Sequence, residues 1–374
     1  MSSTEERNER GVERGTELMS DQDLVVETVR DILGGFEPFA LTVERRWDAG
    51  LWGALAEAGL TGVGLPEEVG GSGGELADAV AIVRTLASGA GAVPVAEQLL
   101  VAGPALVAAD LDLPSPEQPL TFAIADAVTV HPVDNGDGPG RFTLTGTITD
   151  VAWAGVASHV VVLAPPPAGI EGAVLALVDA SRLPATDAFN LAGEPRGSLV
   201  LDQTGTSGAL LTEAQASELR ARYALARAVQ LGAALEQVLA WTVQYAGERQ
   251  QFGRPLGKFQ AIQMELAEMA GEVTAVTALT DAAVQALDRG ENVVLAAAAA
   301  KVRAGAAVEV VARLAHQVHG AIGFTQEHKL HHLTRRLWSW RDEGGSDLAW
   351  SRVLGAGVLA DGPDGLWPAL TRVV

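Results

Sequence analysis

Residues 245–260, YAGERQQFGRPLGKFQ, carry side chains suited to binding a flat, phosphorylated ligand. Arg249 offers a planar fork of N–H donors for phosphate, Phe252 a flat apolar ring and Gln260 an amide. Pro255 interrupts helix here, so the segment is predicted to be a loop between two long helices. The combination suits a dinucleotide. It also fits an ordinary helix connection with a solvated arginine, and this segment alone leaves both interpretations open.

A second unusual loop is QVHGAIGF, residues 317–324. A helix is predicted to end here, with Gly320 as its left-handed C-cap. Capping does not explain the amide of Gln317, or why the backbone is kept small at Ala321 and Gly323. Bare backbone allows close approach of a flat or charged ligand.

The third candidate segment is RDEGGSD, residues 341–347, which follows the aromatic run LWSW. A carboxylate beside Gly344 and its glycine neighbour lies where the chain can turn sharply. Asp342 or Glu343 is therefore a candidate general base. The alternative is a pair of helix-end carboxylates facing water.

Other catalytic motifs are weak or absent in the sequence. His328 and His332 have the four-residue spacing that can hold a metal on a helix, but no third ligand is placed near them, and no metal site is predicted. No serine-nucleophile elbow occurs. The glycine-rich LPEEVGGSGGEL has no Walker lysine and no dinucleotide fingerprint, which favours a connector.

Charge and composition limit the class of protein. The 374 residues carry a net charge of -21 with a pI near 4.7, which disfavours nucleic acid and anionic membrane surfaces as partners. There is no cysteine, which fits a reducing cytoplasm. No signal peptide or membrane-spanning run is recognised, so neither secretion nor membrane insertion is expected.

The periodicity of apolar residues changes twice along the chain and predicts three folded units. Residues 1–20 are predicted to be a disordered tail. Residues 21–118 read as a helical domain, 119–210 as a small antiparallel β-barrel or sandwich, and 211–374 as a four-helix bundle. The fold class is therefore mainly α with a central β domain.

The three loops together resemble the acyl-CoA dehydrogenase family. ERQQFGRPLGKFQAIQ is similar to its R-x-x-F-G-x-P-x-x-x-F-Q signature, and QVHGAIGF to its Q-x-x-G-G-x-G-F signature, with Ala321 in place of the second glycine. LWGALAEAGLTGVGLPEEVGGSGGEL resembles the N-terminal segment of the family. The resemblance covers the chain from about residue 21 onward and has the same order of units.

The resemblance implies FAD bound between the subunits of a tetramer. It also implies α,β-dehydrogenation of an acyl-CoA in lipid metabolism, with electrons passed to an acceptor flavoprotein. The positions that match FAD contacts are Arg249, Phe252, Gln260, Gln317, Val318, His319, Gly320, Ala321 and Ser346. In relatives these loops reach the flavin of a neighbouring subunit. The assembly is expected to be a homo- or hetero-tetramer.

Because the sequence departs from the family pattern, the identity of the catalytic base stays open. Counted from Phe324, the base position falls on Gly344, one residue after Glu343. The alternative base position corresponds to Tyr223, which cannot serve, and the family's flavin-binding W-I-T strand corresponds to DVAWAG, residues 150–155. Glu343 as base of a working dehydrogenase is the favoured interpretation. The alternative is a silent subunit that completes the FAD site of a heteromeric partner, and a third, less favoured, is another flavin reaction such as monooxygenation.

Overall fold

The computed structural model describes residues 20–38, 47–133 and 140–372. Apart from Ser20, the predicted tail lies outside the described residues. Within these residues, five α-helices come first, then seven strands, and then five more α-helices, with a short hairpin between the first two of them. The helices of the first unit are α1 (Asp21–Gly34), α2 (Ala49–Glu57), α3 (Leu76–Ser88), α4 (Val95–Glu97) and α5 (Gly103–Ala108), with a π-helical turn, Gln98–Ala102, joining the last two.

The strands form one seven-stranded mixed sheet with the order β1-β4-β5-β7-β3-β2 and β6 paired to β7. They are β1 (Leu120–Ile124), β2 (Thr129–Val133), β3 (Arg141–Ala152), β4 (His159–Ala164), β5 (Ala173–Asp179), β6 (Ala188–Phe189) and β7 (Pro195–Leu211). All pairs are antiparallel except β1 with β4, which is parallel. Only the expectation of purely antiparallel pairing is corrected, because the parallel pair β1–β4 makes the sheet mixed.

Both faces of the central strands are buried, and their side chains divide between two cores. In β4, Val161 and Leu163 join the main core shared with the helices, whereas Val160 and Val162 join a second core on the opposite face. This explains why β4 reads as a continuous apolar run and not as an alternation. One face of the sheet is thereby fixed against the helical units.

The C-terminal unit consists of α6 (Glu213–Glu248), the hairpin β8 (Gln250–Gln251) and β9 (Arg254–Pro255), α7 (Gln260–Asp288), α8 (Val294–His319), α9 (Leu330–Asp342) and α10 (Asp347–Arg372). Helix α6 begins at a capping box in which the side chains of Thr212 and Gln215 satisfy each other's backbone N–H groups. Helix α10 is interrupted at Gly362, whose φ is 68°. The family-level fold class predicted from the sequence, helices then sheet then helices, is confirmed.

Membrane spanning was tested over the described residues. None of the helices there has the length and apolar character needed to cross a bilayer.

Candidate active site

Glu343 lies immediately after α9 and turns its side chain toward the sheet. Its backbone is extended, and Gly344 and Gly345 follow with φ of 69° and 96°, which reverses the chain within three residues. The side chain is only 11% exposed. Its Oε1 accepts from Nε of Arg196 at 3.0 Å and from Nδ2 of Asn190 at 3.2 Å. The candidate base is therefore held at a domain junction and not in water.

A second arginine, Arg227 of α6, reaches the other oxygen of Glu343. Its Nη2 lies 2.8 Å from Oε2 of Glu343, an ion-pair distance without hydrogen-bond alignment. The same nitrogen donates to Oε1 of Glu97 at 2.5 Å, and Nη1 donates to Gln230 at 2.5 Å. The Arg227 side chain is 1% exposed, so a buried arginine joins the N-terminal helical unit to Glu343.

A third carboxylate, Glu194, continues this arrangement into α9. Glu194 accepts from Nε of Arg336 at 3.0 Å and from Nε1 of Trp340 at 2.9 Å. It also accepts from Asn190 at 2.9 Å and lies 3.5 Å from Arg196. We call this set the central ion network; its charged members are Glu97, Glu194, Arg196, Arg227, Arg336 and Glu343.

The network sets the proton affinity of Glu343. Burial alone would raise the pKa of the Glu343 carboxyl, but Arg196 and Arg227 outweigh burial and hold the pKa below its usual value. Burial likewise works against the charged form of Arg227, yet Glu97, Tyr223 and Glu343 keep its pKa well above normal. Both partners are therefore ionised at neutral pH.

The positions that the resemblance places around the reacting centre are in direct contact. Trp153, in the strand that replaces W-I-T, donates Nε1 to Glu97 at 3.0 Å. The guanidinium of Arg227 lies 5.2 Å from the ring centroid of Tyr223. A Cβ at Gly344 would lie 3.3 Å from the backbone of Tyr223 and from Cγ of Arg227. Side chains of the central ion network therefore contact each of these positions.

The first candidate cofactor loop is a two-residue hairpin at the end of α6. Phe252 and Gly253 form its turn with φ of 51° and 79°, and the Phe252 side chain is 91% exposed. Arg249 is exposed, and among the described residues no side chain pairs with its guanidinium. Gln260 is exposed at the first position of α7. The loop thus presents a ring, a cation and an amide outward.

The second candidate loop follows α8 at the same end of the molecule. Gln317, Gly320 and Ala321 are exposed, whereas the side chains of Val318 and His319 are buried. Tyr245, near the end of α6, stacks on His319 at 4.5 Å and donates to its carbonyl at 3.3 Å. The structure therefore brings the two predicted cofactor loops onto neighbouring helix ends.

The conformation of Gly320 differs in part from the expectation. Its φ is 64°, positive as predicted, but its ψ is -145°. This lies outside the left-handed helical region and is open essentially to glycine alone. The glycine is therefore required by the sharp exit from α8, whether or not a ligand approaches it.

Ser346 is not beside these loops. It is exposed, and its Oγ accepts from the Ala349 N–H at 3.3 Å at the start of α10. Helix α9, with 13 residues, separates the two loops from Glu343 and Ser346. At the rise of an α-helix this is about 20 Å. The candidate site therefore has two parts, one exposed at the helix ends and one buried in the central ion network.

The histidines gather around the second loop without forming a metal site. His319 and His328 have ring centroids 4.8 Å apart, and His316 stacks on Phe324 at 4.3 Å. Over the ranges that the structure describes, no group of three metal-ligating side chains is found. Burial lowers the pKa of His316, His319 and His328, so these rings are neutral at pH 7.

Sequence reasoning missed Glu97, Glu194 and Arg196. Each lies in a run without a catalytic motif. Their charged partners in the C-terminal unit are 130 residues away for Glu97 and 142 or more for Glu194 and Arg196. The one local signal is a pair of charged residues where buried residues are expected, because E-P-R, residues 194–196, stands at the start of the long strand β7.

The order of a helical unit, a mixed sheet and a helical bundle, with the two candidate loops facing outward, is the architecture that the resemblance in the sequence led us to expect. Residues 19–109 match the model of the acyl-CoA dehydrogenase N-terminal domain, and residues 212–353 match that of its C-terminal domain. The chain belongs to the acyl-CoA dehydrogenase family.

Similar proteins include acyl-CoA dehydrogenase IpdE2 of Mycobacterium tuberculosis, 30% identical over 78% of this chain and 81% of the relative. Acyl-CoA dehydrogenase FadE27 of the same organism is 31% identical over 77% and 82%. Among solved structures, the ChsE4-ChsE5 complex of M. tuberculosis aligns with a TM-score of 0.80 at 26% identity, covering 92% of this chain and 99% of that one. The Tcur3481-Tcur3483 steroid ACAD aligns with a TM-score of 0.78 at 26% identity, covering 91% and 98%.

Proposed function

We propose that this chain is the silent, FAD-completing subunit of a heteromeric acyl-CoA dehydrogenase. A related chain supplies the base and the other half of the flavin site. The assembly, a tetramer, converts an acyl-CoA to the 2-enoyl-CoA and passes electrons to an acceptor flavoprotein. The observation that carries the proposal is the central ion network, in which Glu343 pairs with Arg196 and Arg227, and Trp153 binds Glu97.

Glu343 is poorly suited to remove a proton from carbon. A general base works best when its proton affinity matches the task, and family members need a carboxylate free to approach the substrate. Arg196 and Arg227 hold the pKa of Glu343 down and occupy both of its oxygens. To act as base, Glu343 would have to leave two buried arginines, each with one carboxylate partner fewer, which is costly.

The exposed half of the site fits a flavin nucleotide held by a neighbour. Arg249 would take a phosphate, Gln260 and Gln317 would supply amide contacts, and Gly320 and Ala321 would let the ligand approach bare backbone. Phe252 presents an almost fully exposed ring that a partner or cofactor would cover. When bound, FAD supplies the hydride acceptor; this chain's residues only hold and orient it. The ChsE4-ChsE5 complex, a solved assembly of two differently named chains, supports pairing of this kind.

The first test is the visible spectrum of the chain expressed alone and after co-expression with a family member that has glutamate where this chain has Gly344. The chain alone should be nearly colourless. The co-expressed assembly should be yellow and should bleach on anaerobic addition of acyl-CoA.

Two variants test whether this chain contributes to FAD binding or to proton removal. Arg249→Ala should lower the FAD content of the co-purified assembly. Glu343→Gln should leave bleaching per assembled FAD unchanged, as should Asp342→Asn, its exposed neighbour used as control. If the chain alone binds FAD and bleaches, and Glu343→Gln but not Asp342→Asn abolishes bleaching, Glu343 is the base and the silent-subunit proposal fails.

A further inference from the structure

Arg222 lies on the side of α6 that faces away from the central ion network. Tyr223 and Arg227 turn toward Glu97, whereas Arg222 is rotated by about 100° from Tyr223 on the helix. Its Nε donates to the carbonyl oxygen of Leu100. This is its only hydrogen bond, and no carboxylate pairs with the guanidinium in the described part of the chain.

The guanidinium borders a group of cavities at the junction of the three units. The largest, of about 240 Å³, lies between α5, the ends of β5 and β7, the first turns of α6 and the connection from α7 to α8. Another, of about 190 Å³, lies between the N-terminal helices and α6. Arg222 lines both cavities. The larger is mainly apolar, with walls that include Ala105, Ala108, Leu175, Leu211, Leu219 and Val293.

An arginine in this position is costly without an anion. Burial lowers the pKa of Arg222 to about 10, and no neighbouring carboxylate offsets this effect. The side chain is nevertheless charged at neutral pH. A half-buried cation with one carbonyl partner destabilises the fold unless another group completes its interactions.

We propose that the cavity beside Arg222 binds the carboxylate of a small apolar acid, whose two oxygens accept from the terminal nitrogens of the guanidinium. Planar bidentate pairing is the interaction that arginine makes best. The apolar walls would take the hydrocarbon part. Glu218, Asp288 and Glu291 line the same cavities and disfavour a dianion such as phosphate, so a single negative charge is the better match.

The test uses hexanoate, with hexan-1-ol as a neutral probe of the same chain length and inorganic phosphate as an anion without an apolar part. Calorimetric titration and thermal unfolding are measured for the full chain. Hexanoate should bind and raise Tm with concentration, because a ligand that binds only the folded state stabilises it. Equal effects of hexan-1-ol, or a larger effect of phosphate, would contradict the assignment.

Arg222→Met and Arg220→Met form the matched pair of variants. Arg220 is on the same helix, is 40% exposed and pairs with the exposed Asp126, so its variant should bind hexanoate as the parent does. Arg222→Met should lose at least tenfold in affinity, and its Tm without ligand should be higher than that of the parent. A lower Tm would mean that Arg222 is paired in solution, and unchanged affinity would mean that it does not bind the acid; either result overturns the proposal.

Arg222→Gln keeps the test decisive if the methionine variant does not fold. Its amide can still donate to the Leu100 carbonyl but carries no charge. Loss of hexanoate binding is again expected, and retained binding would rule out a charge-based site.

Discussion

A carboxylate that removes a proton from carbon must be free to move toward its substrate and must have a matching proton affinity. In this chain Arg196 and Arg227 pair with the oxygens of Glu343 and lower its pKa. If Glu343 moved, each of these buried arginines would lose one of its two carboxylate partners, and only Glu194 would remain for Arg196 and Glu97 for Arg227. At the scale of single residues, the network therefore stabilises the ionised carboxylate at the expense of its basicity.

Removing Arg227 should be strongly destabilising. Arg227→Met leaves Glu97 and Glu343 buried with fewer cations, a change expected to lower the free energy of unfolding by about 3–5 kcal/mol. Arg313→Met, at a 60% exposed arginine on α8, should change it by less than about 1 kcal/mol. Urea denaturation followed by circular dichroism measures both. The double variant Arg227→Met with Glu97→Gln should recover part of the loss, and a single-variant loss below about 1 kcal/mol would contradict the buried pairing.

The free energy of unfolding at acid pH should depend on the charge of Glu343. Its pKa in the folded chain is lowered, so its contribution to stability is present above the unfolded pKa of about 4.3 and is lost as pH falls through the lower folded value. The difference in unfolding free energy between the parent and Glu343→Gln should therefore shrink below about pH 4. Asp342→Asn, at an exposed position, is the control. A difference independent of pH would show that Glu343 is not held by the arginines.

At the scale of elements, a side chain of α8 binds the backbone of the turn after α9. Lys301 is fully buried and donates from Nζ to the carbonyl oxygens of Arg341 and Gly345, the latter at 2.9 Å. Burial lowers the pKa of Lys301 to about 8, only partly offset by Asp347. This lysine fixes the direction in which Glu343 leaves the helix.

Lys301 should make stability rise with pH in the alkaline range. The unfolded chain keeps the proton on Lys301 up to about pH 10.4, whereas the folded chain releases it above about pH 8. Between these values the unfolded state binds more protons, so unfolding becomes less favourable as pH rises, by at most about 3 kcal/mol. Urea midpoints of the parent and of Lys301→Met, compared from pH 7 to 10.5, measure this. The urea midpoint of the parent should rise with pH relative to that of the variant. If the two midpoints instead change in parallel with pH, Lys301 titrates normally.

The sequence was informative about elements whose cause is local. Residues close together in the sequence determine the apolar periodicity of α6 to α9, the Thr212 capping box and the glycine break after α8. The parallel pairing of β1 with β4 is not, because it joins segments 39 residues apart, His159 to Leu120, and depends on the whole sheet. Arg196 illustrates the same limit for the site, because its partner Glu343 comes from a helix end 147 residues away.

At the scale of the whole molecule, the central ion network joins all three units. Glu97 comes from the first unit, Glu194 and Arg196 from the sheet region, and Arg227 and Arg336 from the bundle. At this junction the charged side chains of the three units pair with one another, so the network fixes the units against each other.

Breaking the link between the sheet and α9 should loosen both elements together. Glu194→Gln keeps the shape of the side chain but removes the charge that pairs with Arg196 and Arg336, leaving both arginines with weaker partners. Hydrogen exchange should accelerate in residues 187–199 and in α9, whereas α7, which has no part in the network, should keep its protection. Glu171→Gln, at an exposed turn before β5, is the control and should leave every segment unchanged. If exchange becomes faster only in residues 187–199 and α9 is unaffected, Glu194 does not couple the two units. If exchange becomes faster in both, the network is the element through which the sheet and the bundle unfold cooperatively.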